Sequence, residues 1–550
     1  MKNLVLSVFM VIFFTQCTAQ KKQFINPDTS NTRPKLVVGI VVDQMRYDYL
    51  IRFYDKFGSG GFKRLMNEGY NCESTYFNYV PTYTAVGHAS IYTGTTPSMH
   101  GVIGNDWYDR VLKKQIYCVD DNRYETVGAK KGGKKSPYRL QTTTITDQLK
   151  LVVKNEGKVI GISLKDRAAI LPAGHAADAA YWFKGKKKAK FITSSFYMNK
   201  LPKWVETFNK SGIAKDLLKV WRPLYDIKNY TESIADDNDF EYIFNGEKSP
   251  IFPHDLPNLM QKNGNYDLLK DSPFGNTLLE KFAEATIAGE NLGKDNITDF
   301  LAMSFSSTDH VGHMYGPDSK EIEDVYLRLD KDIAQFLGYL DKNVGIGNYS
   351  LFLTADHAVA PVPSYLKSLK INAGYFDRKA FKTYLNEVTT KYFKTNALIE
   401  DFSNYQIFLD IDKIEALNLD YDTVVKVIKN KALLFNGVYK TVTAETLQTT
   451  NFSSGVLAAV QKGYNQKYSG DIMIVPMPAM LPKIYEKRKG SGHGTAYSYD
   501  THVPLLFFGK GFHHGSTKKH LNITDIAPTI SHLLSIEFPN ASTGTIIEME

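Results

Sequence analysis

Along this chain, runs of apolar residues end repeatedly on residues that bind ions or transfer protons. Leu36 to Val42 is a continuous, largely β-branched run, the pattern of a strand buried on both faces, and it stops at Asp43. Val159 to Leu164 stops at Lys165-Asp166-Arg167, Phe300 to Phe305 runs on to Asp309 and His313, and Tyr349 to Thr354 stops just before Asp356-His357. Between these runs, residues 144–154 and 321–340 carry apolar positions at helical spacing. The alternation predicts an α/β fold, a doubly wound and mostly parallel sheet flanked by helices. Ligands of such sheets bind outside the carboxyl ends of the strands, so polar residues at four strand ends predict a site there. Pro81-Thr82-Tyr83-Thr84 leads into a small, apolar stretch, Ala85 to Tyr92, that predicts a helix. Thr84 stands at its start, where free backbone N–H groups and the helix dipole favour an anion. Alone, Thr84 reads better as an N-cap, and the metal-ligand pattern over the rest of the chain is what reverses that reading.

Two long intervals, about 172–295 and 362–485, break the alternation and read as insertions that cap the strand ends. The second shows a strand at 405–410 and a helix at 421–430. After it come the glycine-flanked His493, an apolar run over 503–509 and a closing helix over 522–535 with Pro528 inside it. Residues 1–19 read as an export signal: Lys2, an apolar core from Leu4 to Phe14, and Cys17-Thr18-Ala19 before cleavage after Ala19. That core is too short to span a bilayer, so the mature chain, residues 20–550, is expected to be periplasmic or secreted, without stable membrane insertion. Cys72 and Cys118 then remain as a candidate disulfide pair. With 66 basic and 58 acidic residues the net charge is +8, and no interleaving of aromatic and basic residues predicts nucleic-acid binding.

Asp309 and His313 are four residues apart, so one helical turn aims both at one ion. Asp356 and His357 are adjacent, so sharing an ion requires the backbone to turn at the strand end. Glycines around His493 allow close approach. With Asp43 these make three carboxylates and three histidines, a donor mix that suits zinc better than magnesium or calcium. Six ligands divide into two sites of three. His88, His100, His175, His310, His502, His513 and His514 read as structural or surface histidines, with His88 beside the Thr84 loop. Asp324, Asp330 and Asp332 lie on a helix pattern and read as solvated or capping.

This set, in this order from Val41-Val42-Asp43 to His493, resembles the alkaline phosphatase superfamily. Within it the chain resembles the phosphate-irrepressible (PafA-type) alkaline phosphatases and the nucleotide pyrophosphatase/phosphodiesterases. The resemblance implies two Zn2+ ions, one held by Asp309, His313 and His493, the other by Asp43, Asp356, His357 and the nucleophile Thr84. It implies that Asn105 binds a non-bridging phosphoryl oxygen and that Lys165 and Arg167 are the cation pair of the monoesterase branch. The best-known members use a serine and a third metal; here Thr84 replaces the serine, and Lys165 is placed for the third metal's charge. The expected function is hydrolysis of small phosphate monoesters through a phosphothreonine, by a monomer. Residues 165 and 167, two apart on an extended backbone, would face one dianion together. The rival with the same metals is a nucleotide pyrophosphatase/phosphodiesterase. A sulfatase is disfavoured by the absence of a Cys- or Ser-x-Pro-x-Arg stretch at Thr84, a cytosolic phosphoglycerate mutase relative by the export signal, and a non-catalytic zinc or phosphate binder by the complete ligand set.

Overall fold

A computed structural model describes residues 33–549; the expected export signal and Cys17 lie outside them. We number the strands of the main sheet in chain order: β1 Leu36–Val42, β2 Tyr70–Cys72, β3 Thr126–Val127, β4 Val159–Ser163, β5 Ala179–Lys184, β6 Lys190–Ser194, β7 Asp299–Phe305, β8 Tyr349–Thr354, β9 Leu505–Gly509 and β10 Gly515–Thr517. They form one ten-stranded sheet in the order β10-β2-β9-β8-β1-β7-β4-β5-β6-β3. The centre is parallel: β1 pairs with β7 and β8, and β7 with β4, which pairs with β5. Every residue of β1, β4, β7 and β8 is buried, as continuous apolar runs require.

Register places the chemistry. Val42 pairs with Phe305, Val41 with Thr354 and Ser304 with Ser163. The four central strands therefore end at one level, and Asp43, Lys165, Asp309, Asp356 and His357 all follow within a few residues. The helix over Thr84–Thr93, α1, starts at these ends and runs back over the sheet, where Tyr92 Oη meets the Gly39 carbonyl in the middle of β1 at 3.4 Å. Its Gly87 permits this, because a Cβ there would sit 2.0 Å from the Asp356 carbonyl oxygen. The helices α2 (Asp166–Ala173), α3 (Ser307–Tyr315) and α4 (Lys320–Leu340) begin at or beyond the ends of β4 and β7.

The interval 363–488 holds its own four-stranded antiparallel sheet, ordered Ile399–Ser403, Gln406–Leu409, Ile472–Pro476, Val438–Thr443. It has a separate apolar core that includes Phe381, Leu385, Ile407, Val424 and Ile428. The other expected insertion divides differently. Its part over 179–194 supplies β5 and β6 of the main sheet, and its helix Phe274–Glu290 packs on α4. Short, strongly aromatic strands with weak alternation hid this contribution.

Two further expectations are corrected. Cys72 and Cys118 are free, buried thiols in different apolar clusters, and so form no disulfide. Asp324, Asp330 and Asp332 are buried rather than solvated. Asp324 accepts from Trp221 Nε1 at 2.7 Å, Asp330 from the Gly58 and Phe62 N–H groups, and Asp332 from Thr277. Among the described residues no helix is long and apolar enough to cross a membrane.

Candidate metal and phosphoryl site

Thr84 is the first residue of α1, preceded by the extended Tyr83, and its hydroxyl caps nothing. It is buried, with Arg167 Nη2 3.4 Å from its Oγ1. Asn105 Oδ1 accepts from the Ala85 N–H at 2.9 Å, which satisfies one donor of the first turn and leaves the Asn105 Nδ2 donors for another partner. His88, one turn along, bonds the Thr84 carbonyl through Nδ1 at 2.8 Å and Ser304 Oγ through Nε2 at 2.9 Å. Burial pushes its pKa down to about 4, so it is a neutral structural histidine, as expected.

Two groups of metal-ligand type form beside Thr84. Asp43, Asp356 and His357 bring one donor atom each within 4.8 Å of one another, and so do Asp309, His357 and His493. The first group is the expected one. In the second, His357 joins Asp309 and His493, because its ring stacks on His493 with centroids 3.5 Å apart and so faces both groups. His313 is still adjacent, with Nε2 3.1 Å from Asp309 Oδ1.

The donors are arranged for cations. Asp43 Oδ1, Asp356 Oδ2 and His357 Nε2 are buried without a hydrogen-bond partner, and all three belong to one group. The Nδ1 atoms of His313, His357 and His493 face the carbonyls of Ser491, Ala358 and Thr82 at 2.8, 3.0 and 2.6 Å. A carbonyl accepts only, so each Nδ1 carries the proton and each Nε2 presents a lone pair. Those lone pairs point at carboxylates, which also donate nothing. Burial, then Asp309 and Asp356, holds the Asp43 carboxyl well above its ordinary range, and burial raises Asp356 to about 7. A cation shared by these groups resolves the conflict, so the residues fit a metal.

Lys165 is the residue before α2 and sends Nζ to Asp43 Oδ2 and Asp309 Oδ2, both at 2.6 Å. One ammonium serves two carboxylates. Asp309 is held well below its usual range against its burial, with His313 and Lys165 both contributing, whereas Asp43 is not. Arg167 is already helical, so the extended backbone expected from Lys165 to Arg167 is replaced by a turn into α2. Its Nη1 donates to Tyr117 Oη at 3.2 Å, and Tyr117 in turn bonds Asp166 Oδ1. Lys135 Nζ lies 3.1 Å from Asp166 Oδ2. Tyr117 and Asp166 keep the buried guanidinium firmly charged.

Sequence reasoning missed Gln44. Its backbone at φ 67° turns the chain after β1, its Nε2 donates to Asp309 Oδ1 at 2.6 Å, and its N–H to Asp356 Oδ1 at 3.1 Å. Its position directly after a strand-end aspartate was the one available signal. Tyr117 carried none, because its hairpin partner and Arg167 are far apart in sequence.

Residues 37–502 match the family described as type I phosphodiesterase / nucleotide pyrophosphatase. The chain belongs to that family. It is 46% identical, over 94% of each chain, to a protein of Myroides odoratus named calcium-transporting ATPase. It is 43% identical, over 93% of each chain, to alkaline phosphatase PafA of Elizabethkingia meningoseptica. The crystal structure of a wild-type alkaline phosphatase PafA superposes with a TM-score of 0.90 at 42% identity, covering 94% of this chain and 98% of that one. The central sheet and its helices are thus those of an alkaline phosphatase fold.

Proposed function

We propose that the chain is an exported, monomeric alkaline phosphatase that hydrolyses small phosphate monoesters through a phosphothreonine on Thr84. The observation that carries this reading is Thr84 Oγ1, buried at a helix start with Arg167 at 3.4 Å and the Asp43–Asp356–His357 group alongside. Two zinc ions fit the donors, one at Asp43, Asp356, His357 and Thr84, the other at Asp309, His313 and His493. Bound there, zinc supplies the Lewis acidity that makes a hydroxyl or water nucleophilic near neutral pH and offsets charge on the attacking and leaving oxygens. The protein does the rest. Thr84 Oγ1, losing its proton, attacks phosphorus as the P–O bond to the alcohol breaks and the alcohol leaves; water then cleaves the phosphothreonine, releasing inorganic phosphate and restoring the Thr84 hydroxyl. Arg167 and Asn105 Nδ2 hold non-bridging phosphoryl oxygens, and Tyr117 and Asp166 hold Arg167. Lys165 adds charge next to Asp43 and Asp309, where a dianion brings most negative charge.

A diesterase reading has one observation in its favour: the Lys165 ammonium is already engaged by two carboxylates, which leaves Arg167 as the cation that meets the Thr84 hydroxyl. The two separate by charge. A monoester dianion has one more anionic oxygen than a diester, and each charge-assisted hydrogen bond contributes about 1.5–3 kcal/mol. Lys165→Ala with Arg167→Ala should lower kcat/KM for p-nitrophenyl phosphate by roughly 10²–10⁴ and for bis-p-nitrophenyl phosphate far less. Equal losses on both esters make the diesterase reading the correct one.

A further inference from the structure

The insertion sheet is not remote from Thr84. Its strands Ile399–Ser403 and Gln406–Leu409 are joined through Asn404 and Tyr405, both left-handed at φ 50° and 59°. This tight turn lies on the Asn105 loop. Asn404 Nδ2 donates to the Asp106 carbonyl at 2.6 Å, and a Cβ on Gly104 would sit 2.6 Å from the same Nδ2. Gln115 Nε2 donates to Asp401 Oδ2 at 2.8 Å and Arg110 Nη2 to Asp471 Oδ2 at 2.7 Å. The hairpin Asp106–Tyr117 and the insertion are therefore joined at several points.

Between them is a cavity of about 390 Å³ lined by Tyr83, Asn105, Asp106, Gln115, Arg378 and Asn404. Two of these reach the reacting groups. Asn105 holds the Ala85 N–H, and the Tyr83 ring stands edge-on to His493 with centroids 5.8 Å apart. We infer that this cavity receives the leaving group, and that it favours phosphate esters of polyhydroxy alcohols. The inference rests on the phosphatase reading above.

The chemistry of the lining selects the class. Arg378 brings a cation with five N–H donors, one of them bound to the Phe402 carbonyl at 2.8 Å. Asp106 brings an acceptor, and Asn105, Gln115 and Asn404 bring amides. An anionic leaving group would meet Arg378 but be opposed by Asp106, and a cationic one the reverse. An aromatic one would strip water from the amides and return no hydrogen bonds. A polyol donates and accepts through each hydroxyl, so it can serve both charges and the amides, with Tyr83 as an apolar wall.

Glucose 6-phosphate and methyl phosphate test this, because both leave as primary alcohols and only the first fills the cavity. We expect the wild-type enzyme to favour glucose 6-phosphate about tenfold in kcat/KM, the worth of one charge-assisted hydrogen bond. Arg378→Ala should bring the ratio close to one while methyl phosphate changes less than about twofold. Gln115→Ala, on an exposed strand position, should reduce the ratio in the same direction without touching Arg378. A wild-type ratio near one, or a ratio that neither variant changes, overturns the subsite. Hydrolysis of neither ester by the wild-type enzyme overturns the phosphatase reading and this inference with it.

Discussion

At the scale of single residues, the candidate site was legible wherever an ion-binding side chain followed an apolar run. Asp43, Asp309, Asp356 and His357 stand at strand ends because the register of β1, β7 and β8 ends those strands together. Residues that orient others were not legible, since a hydrogen bond such as Tyr117 to Arg167 joins segments with no local pattern in common. Thr84→Ala should remove the trapped phosphoenzyme and lower turnover at least about 10³-fold, whereas Thr84→Ser should retain both. Acid-quenched mass spectrometry reads this directly, and a phosphoryl group found on Thr82 in the alanine variant would reassign the nucleophile. Tyr117→Phe deletes only the hydroxyl that Arg167 Nη1 and Asp166 share. It should cost about 5–10-fold in monoester kcat/KM in the wild-type background and close to nothing on top of Arg167→Ala. Additive losses in that cycle would mean that Tyr117 acts on stability rather than through the guanidinium.

At the scale of elements, most boundaries followed from sequence. Residues 144–154 form the helix Ile145–Val152, with Thr144 and Asp147 as a capping box. Lys165 to Arg167 differs because a strand end gives no warning of how soon the chain turns, and here α2 starts at Asp166. The capping box carries a pH dependence. Asp147 accepts from His175 Nδ1 at 3.1 Å, and His175 Nε2 faces the Leu140 carbonyl at 3.0 Å. Both partners are acceptors, so the doubly protonated imidazolium fits best, and despite burial Asp147 raises the His175 pKa. A raised folded-state pKa means that this stabilisation is complete below the unfolded value of about 6.5 and disappears as pH rises through the folded value. His175→Gln should therefore lower Tm clearly at about pH 5.5 and hardly at about pH 9, followed by circular dichroism. A loss independent of pH would assign the residue a packing role.

At the scale of the whole molecule, the parallel centre was legible and the outer limits of the sheet were not. The apolar strands β1, β4, β7 and β8 announce themselves, while β5 and β6 lie in a stretch that sequence reads as inserted. The buried, unpaired atoms of Asp43, Asp356 and His357 predict a metal-dependent stability for the protein as a whole. Chelation should abolish activity and lower Tm, and zinc should restore both. Full activity in excess chelator, with no zinc by elemental analysis, would exclude the metal reading. The topology also has a consequence in time. Asp43 and Thr84 precede by most of the described chain His493 and the antiparallel strand β9 that flanks β8. A growing chain holds Thr84 and Asp43 long before it holds His493. A phosphatase built this way is expected to gain its activity only once His493 has joined the strand ends.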